Sequence, residues 1–167
     1  MNSKYEINTK ENREFLKASC EDLLNFGHRF PSPNGGSYYL GDDGTPWKDR
    51  NRETWITCRM AHVYSLGLML GYEGSGELAD AALKGLRGEL HDDQNGGWYA
   101  GVTQEGGIVP NKQCYAHAFV ILAASSALTA GRPGAKELLE EAVAVYDRHF
   151  WNEEEGLACD TWNTEFT

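Results

Sequence analysis

No two cysteines in this chain stand close enough to form a metal-binding or redox pair: Cys20, Cys58, Cys114 and Cys159 are far apart, with no C-x-x-C among them. That spacing excludes the common zinc and thioredoxin-type motifs and offers no disulfide framework. A reduced, cytoplasmic setting is the expectation. Basic charge is also scarce, with 15 Lys and Arg against 25 Asp and Glu for a net charge of −10. Nucleic acid and anionic membrane surfaces are bound through clustered cations, so neither is expected as a partner. No apolar run approaches the roughly 20 residues of a membrane span. The first ten residues, polar overall, contain no secretory apolar core. The Gly-Gly pairs at 35–36, 96–97 and 106–107 lack the Lys-Ser/Thr that completes a phosphate loop. Asp92-Asp93-Gln94-Asn95-Gly96 lacks the later bidentate Glu of a calcium loop and reads as a turn.

What the chain does have is a period. Gly71-Tyr72-Glu73-Gly74-Ser75-Gly76-Glu77-Leu78 lines up with Gly131-Arg132-Pro133-Gly134-Ala135-Lys136-Glu137-Leu138, sixty residues on. The same offset carries His91-Asp92-Asp93-Gln94-Asn95-Gly96 onto Trp151-Asn152-Glu153-Glu154-Glu155-Gly156, and Gly35-Gly36-Ser37-Tyr38 matches Gly96-Gly97-Trp98-Tyr99 with one residue of slack. A long fixed period marks a repeat architecture, in which each unit needs neighbours to bury its apolar face. Apolar spacing predicts five helices, over 11–29, 52–70, 77–90, 111–130 and 135–150. The first, third and fifth are amphipathic. The second and fourth are apolar on most of their circumference and are expected to be buried all round. Loops 38–47 and 92–110 each hold the pattern of a short hairpin. Alternating outer and inner helices fit two concentric rings. Closing them would take about six pairs, or roughly 360 residues, so the chain reads as the N-terminal portion, residues 1–167, of a single larger domain.

In such a toroid, polar groups on the inner helices face a pocket. Trp55, Arg59 and His62 fall at i, i+4 and i+7 of the second helix and share a face. Arg59 is either an anion or hydroxyl clamp beside an aromatic sugar platform, or an internal cation paired with Glu53 or Glu165. In the fourth helix Tyr115 takes the repeat position of Trp55 and Phe119 that of Arg59, while Gln113 and His117 share a neighbouring face. An internal His is more often a hydrogen-bonded core residue than a catalyst. His28, His91 and His149 sit at outer-helix ends, where a cationic His suits the helix dipole.

The segments Thr54-Trp55-Ile56-Thr57-Cys58-Arg59-Met60-Ala61-His62-Val63-Tyr64, Gly96-Gly97-Trp98-Tyr99 and Lys112-Gln113-Cys114-Tyr115-Ala116-His117-Ala118-Phe119, in that order and spacing, resemble the N-acylglucosamine 2-epimerase superfamily, and within it the mannose and sulfoquinovose isomerase branch. Phe150-Trp151-Asn152-Glu153-Glu154-Glu155-Gly156 and Asp160-Thr161-Trp162-Asn163 extend the likeness. The resemblance implies an all-α (α/α)6-barrel with short hairpins in its loops, and an isomerase or epimerase acting on a free sugar through a cis-enediol(ate). It implies that Arg59 stabilises that intermediate as the catalytic residue of this segment, and that Trp55, Arg59 and Tyr115 bind the sugar. His62, Gln113 and His117 are further candidates. Metal and organic cofactor are not called for. The family's proton-transferring histidines lie on later inner helices, so this polypeptide alone is expected to be inactive. Two other readings stay open. One is a glycoside hydrolase on the same toroid, with Asp92, Asp93 and Glu53 as candidate carboxylates. The other is a non-catalytic helical module whose exposed apolar edge drives self-association into a homo-oligomer.

Overall fold

A computed structural model describes residues 3–167. A short 3-10 turn, Ser3–Tyr5, leads into α1 (Lys10–Gly27), whose start is fixed by Thr9: its hydroxyl accepts the Asn12 N–H at 3.0 Å. The buried Tyr64 reaches across from the next helix and donates its hydroxyl to the Leu24 carbonyl at 2.7 Å. Burial pushes the Tyr64 phenol up to about 12, so it stays a donor. Along the rest of α1 little is covered, and Leu16, Leu23 and Phe26 are exposed.

Beyond α1 the helices form two layers. α2 (Thr54–Met69) and α4 (Cys114–Thr129) lie side by side, α3 (Ser75–Leu86) packs behind α2, and α5 (Ala135–Val145) packs behind α4. Small residues let them approach closely: Cys58 and Ala61 on α2, Ala79 and Ala82 on α3, Ala123, Ala124 and Ala127 on α4, and Ala135 and Ala142 on α5 are all buried. Leu83, Leu86, Val120 and Leu138 fill the spaces between. The second and fourth helices are not buried all round as their composition suggests. Val63 and Leu66 on α2, and Tyr115 and Leu122 on α4, are exposed along the face that α3 and α5 do not cover.

Both expected hairpins are present. β1 (Tyr39–Leu40) pairs with β2 (Pro46–Trp47), and β4 (Gly101–Val102) with β5 (Ile108–Val109). The helix starts differ from the sequence reading. Arg52–Glu53 is a strand, β3, pairing antiparallel with β4; Lys112–Gln113 is a strand, β6, pairing with β9 (Thr161–Trp162). α2 and α4 begin only after these residues. A small hairpin of β7 (Trp151–Asn152) and β8 (Leu157–Ala158) follows α5, which stops at Val145 and passes into a π turn, Tyr146–Phe150, rather than running on as α-helix.

The sixty-residue period is a repeat of hydrogen bonds as well as of letters. Phe30, Leu90 and Phe150 are fully buried, and their carbonyls accept the N–H groups of Tyr38, Tyr99 and Cys159. The Thr54 N–H goes to the Ala100 carbonyl at 3.0 Å and the Cys114 N–H to the Asp160 carbonyl at 2.8 Å. Arg52 donates to the Gly35 carbonyl, and Lys112 to the Gly96 carbonyl. The Ser37 N–H is accepted by the Thr57 hydroxyl at 3.0 Å and the Trp98 N–H by His117 Nε2 at 3.1 Å. Only glycine fits where the first of these loops meets α3: Gly35 has φ +95°, and a Cβ on Gly85 would lie 2.3 Å from the Gly36 nitrogen.

Candidate functional site

The exposed face of α2 and α4 carries one cluster of aromatic and cationic groups. Trp55 and Arg59 are one turn apart on α2, and the guanidinium lies over the Trp55 ring, 4.6 Å from its centroid. α4 brings the second ring: Phe119 receives the same guanidinium at 5.0 Å. Such stacking holds a cation without neutralising it. One Arg59 N–H donates to the Tyr115 hydroxyl at 3.0 Å, and the Tyr115 ring stands 6.0 Å from Trp55 and 4.9 Å from Phe119. Neither Glu53 nor Glu165 pairs with Arg59. Among the described residues no ion pair includes it, and its side chain is exposed. Stacked, oriented and with donors to spare, it can bind an oxyanion or several hydroxyls.

Trp55, Arg59 and Tyr115 are therefore brought together. His62 lies two turns below Trp55, and its Nδ1 is 2.7 Å from the Ser126 hydroxyl of α4. That hydroxyl donates its hydrogen to the Leu122 carbonyl, so the His62 Nδ1 is the donor of the pair. Gln113 stands at the N-cap of α4, half-buried, and its side chain makes no cap bond. His117 is not at this site. It is fully buried, its Nδ1–H faces the Gln113 carbonyl at 2.8 Å, and its Nε2 accepts the Trp98 N–H. Burial, helped by the nearby charges of Lys112 and His149 and opposed by the Gln113 bond, pulls it down to about 4. Thr57 makes the equivalent bond one repeat earlier, and His117 pins the Trp98 loop to α4 in the same way.

Two of the three outer histidines also differ from expectation. His28 does bond a carbonyl of the last turn of α1, that of Asn25. His91, however, is bridged by Asp93 and Glu141, at 2.7 Å each. Burial disfavours its charge, but those two carboxylates outweigh it and raise its pKa. His149 stacks on Phe166 with centroids 3.9 Å apart, and burial lowers its pKa. Asp92 forms the expected turn: Oδ1 accepts the Gln94 and Asn95 N–H groups, and Oδ2 accepts the buried Lys112 ammonium at 2.8 Å. Burial works against its carboxylate, yet these bonds hold it well below the usual range. Among the described residues no three His, Cys, Asp or Glu side chains converge as a metal site. Sequence reasoning left Phe119 and Tyr39 out of the site, although Phe119 lies one turn beyond Tyr115 and Tyr39 among the loop aromatics. The Tyr39 ring meets Trp55 edge-on at 6.4 Å, and its hydroxyl donates to Glu53.

The model of the N-acylglucosamine 2-epimerase family matches residues 35–167. This chain belongs to the N-acylglucosamine 2-epimerase family. The D-mannose isomerase of Thermobifida fusca is 40% identical over 152 residues, covering 90% of this chain and 37% of that protein. The D-mannose isomerase of Pseudomonas cannabina pv. alisalensis is 33% identical over 161 residues, covering 96% of this chain and 38% of that protein. A crystal structure of D-mannose isomerase superposes with a TM-score of 0.83 at 25% identity, over 93% of this chain and 41% of that one. Cellobiose 2-epimerase from Bacillus thermoamylovorans B4167 shares the fold, with a TM-score of 0.81 at 24% identity, over 92% of this chain and 42% of that one. The chain thus spans about two fifths of the length of the relatives it matches. The relatives named are isomerases and an epimerase. Among the described residues no helix is long and apolar enough to cross a membrane.

Proposed function

We propose that these 167 residues form the N-terminal part of an (α/α)6-barrel domain and one wall of a free-sugar isomerase site. The reaction is aldose–ketose isomerisation of a mannose-like hexose, through a cis-enediolate. In the open-chain sugar, a base removes the C2 proton and the electron pair moves onto the carbonyl oxygen, giving an enediolate. Transfer of the O2 proton to O1 and return of the proton to C1 give the ketose. Arg59 stabilises the oxygen charge of that intermediate, while Trp55 and Tyr115 line the sugar pocket.

The observation that carries this reading is the Arg59 guanidinium, stacked between two rings and tied to one hydroxyl, with no carboxylate to quench it. The carboxylates that a glycoside hydrolase would use are engaged elsewhere: Asp92 by Lys112, Asp93 by His91 and Glu53 by Tyr39. His117 has both ring nitrogens committed, which argues against it as the base. Reprotonation at C2 from the other face would make the same site a 2-epimerase, and the likeness to a cellobiose 2-epimerase fold keeps that product in view.

The test is mannose in deuterated water, followed by NMR. One sample holds this chain; the other holds a chimera in which the Thermobifida fusca relative supplies the sequence after Thr167. The chimera should form ketose and exchange the C2 proton, and the chain alone should do neither. Exchange by the chain alone would place the base here, with His62 the first residue to replace. A folded chimera inert towards free hexoses would overturn the reading.

A further inference from the structure

We propose that Glu53 is a positioning residue for the sugar platform: through the Tyr39 hydroxyl, it holds the Trp55 ring in place at the mouth of the site. The inference deepens the sugar-binding reading and rests on it.

Glu53 occupies the N-cap of α2, but its side chain makes no cap bond. It accepts the Tyr39 hydroxyl across a span of 14 residues. The Tyr39 ring meets Trp55 edge-on at 6.4 Å, with the planes at 75°. Trp55 is thus bounded by Tyr39 on one side, Tyr115 on another, and Arg59 on its face. Tyr39 sits in β1, and Arg50 lies over both its ring and that of its strand partner Trp47, at 5.4 and 4.7 Å. The hairpin is therefore pinned against the helix start. Burial, then the bond and charge of Glu53, raise the Tyr39 pKa and keep the phenol a donor.

The repeat shows that the fold does not require this bond. One unit on, Gln113 replaces Glu53 and Ala100 replaces Tyr39, yet β6 and α4 form in the same way, with Cys114 bonded to Asp160 as Thr54 is to Ala100. The Tyr39–Glu53 bond occurs where the neighbouring side chain is the aromatic platform beside Arg59. It serves the site and not the architecture.

The test is a double-mutant cycle on the chimera, following the Trp55 indole N–H resonance during titration with D-mannose. Y39F keeps the ring and loses the donor; E53A loses the acceptor; E53Q keeps an amide oxygen that can still accept the hydroxyl. Y39F and E53A should each weaken mannose binding about 5-fold, the net worth of one ordinary hydrogen bond. The double variant should be no weaker than either single one, and E53Q should stay near wild type. Additive losses, or unchanged affinity with only a lowered Tm, would overturn the proposal and leave Glu53 a structural residue. R59A separates the two levels. If R59A abolishes binding while Y39F and E53A do not affect it, positioning fails and the sugar site stands. If R59A binds like wild type, or the Trp55 signal of the unsubstituted chimera ignores mannose, the sugar reading fails and this inference with it.

Discussion

At the scale of single residues, stacking across two helices in place of a counter-charge separates Arg59 from the cations held in ion pairs. Arg52, Lys112 and Arg132 each hold a carboxylate; Arg59 holds two rings and a phenol. In the chimera, Arg59→Ala should lower kcat/KM by about 100-fold or more, the usual cost of deleting a donor to a developing oxyanion. Because the side chain is exposed, Tm should hardly move. Arg59→Lys should restore little, since an ammonium lacks the planar fork. His117 should behave in the opposite way. Its replacement by Ala leaves the Trp98 N–H without an acceptor in a buried place and should cost about 2–4 kcal/mol in equilibrium unfolding. Its neutral form also sets a pH dependence. The folded pKa, about 4, is below the reference 6.5, so the unfolded chain binds more protons between those values. The stabilisation is complete above pH 6.5 and is lost as pH falls towards 4, amounting to on the order of 3 kcal/mol. Urea unfolding at several pH values should show that slope in the wild type and a flatter one in His117→Ala. The pairing of Trp55 with Arg59 was legible because both lie on one continuous helix at i, i+4. The partners of His62, His91 and His117 were not, because Ser126, Glu141 and Trp98 come to them from other parts of the chain.

At the scale of elements, long apolar periods were readable and short strands were not. A two-residue strand such as β3 or β6 has no period to detect, and its partner lies roughly fifty residues away in sequence. Both therefore read as the first turn of the helix that follows. The buried cations anchoring these strands have unequal stakes. Lys112 and Asp92 are 0% and 1% exposed in their side chains, whereas Arg52 faces a Glu89 that is 38% exposed. Removing Lys112 strands a carboxylate away from water, at a cost of about 3–5 kcal/mol; removing Arg52 leaves one that water can reach. Lys112→Met should therefore lower the denaturant midpoint more than Arg52→Met, and equal losses would contradict this ranking.

For the whole molecule, the two-layer helical stack and its sixty-residue unit were legible from sequence, because each unit's hydrophobic pattern is written out in full. The apposition of α2 and α4 that places Phe119 and Tyr115 around Arg59 was only half legible. The repeat aligned Tyr115 with Trp55, but the second ring on Arg59 follows from how closely the small-residue face of α2 and the alanine-rich face of α4 approach. The bare face of α2 and α4 was misread as buried, since composition reports how apolar a helix is and not what lies across from it.

The forward reach of the helix-start bonds has a consequence for synthesis. Thr54 is closed by Ala100 and Cys114 by Asp160, each forty-six residues further along the chain. On a ribosome, the first turn of α2 would wait for the next hairpin to emerge, and α4 for the one after it. Maturation would advance as a relay with a constant lag, each newly made unit completing the one before it.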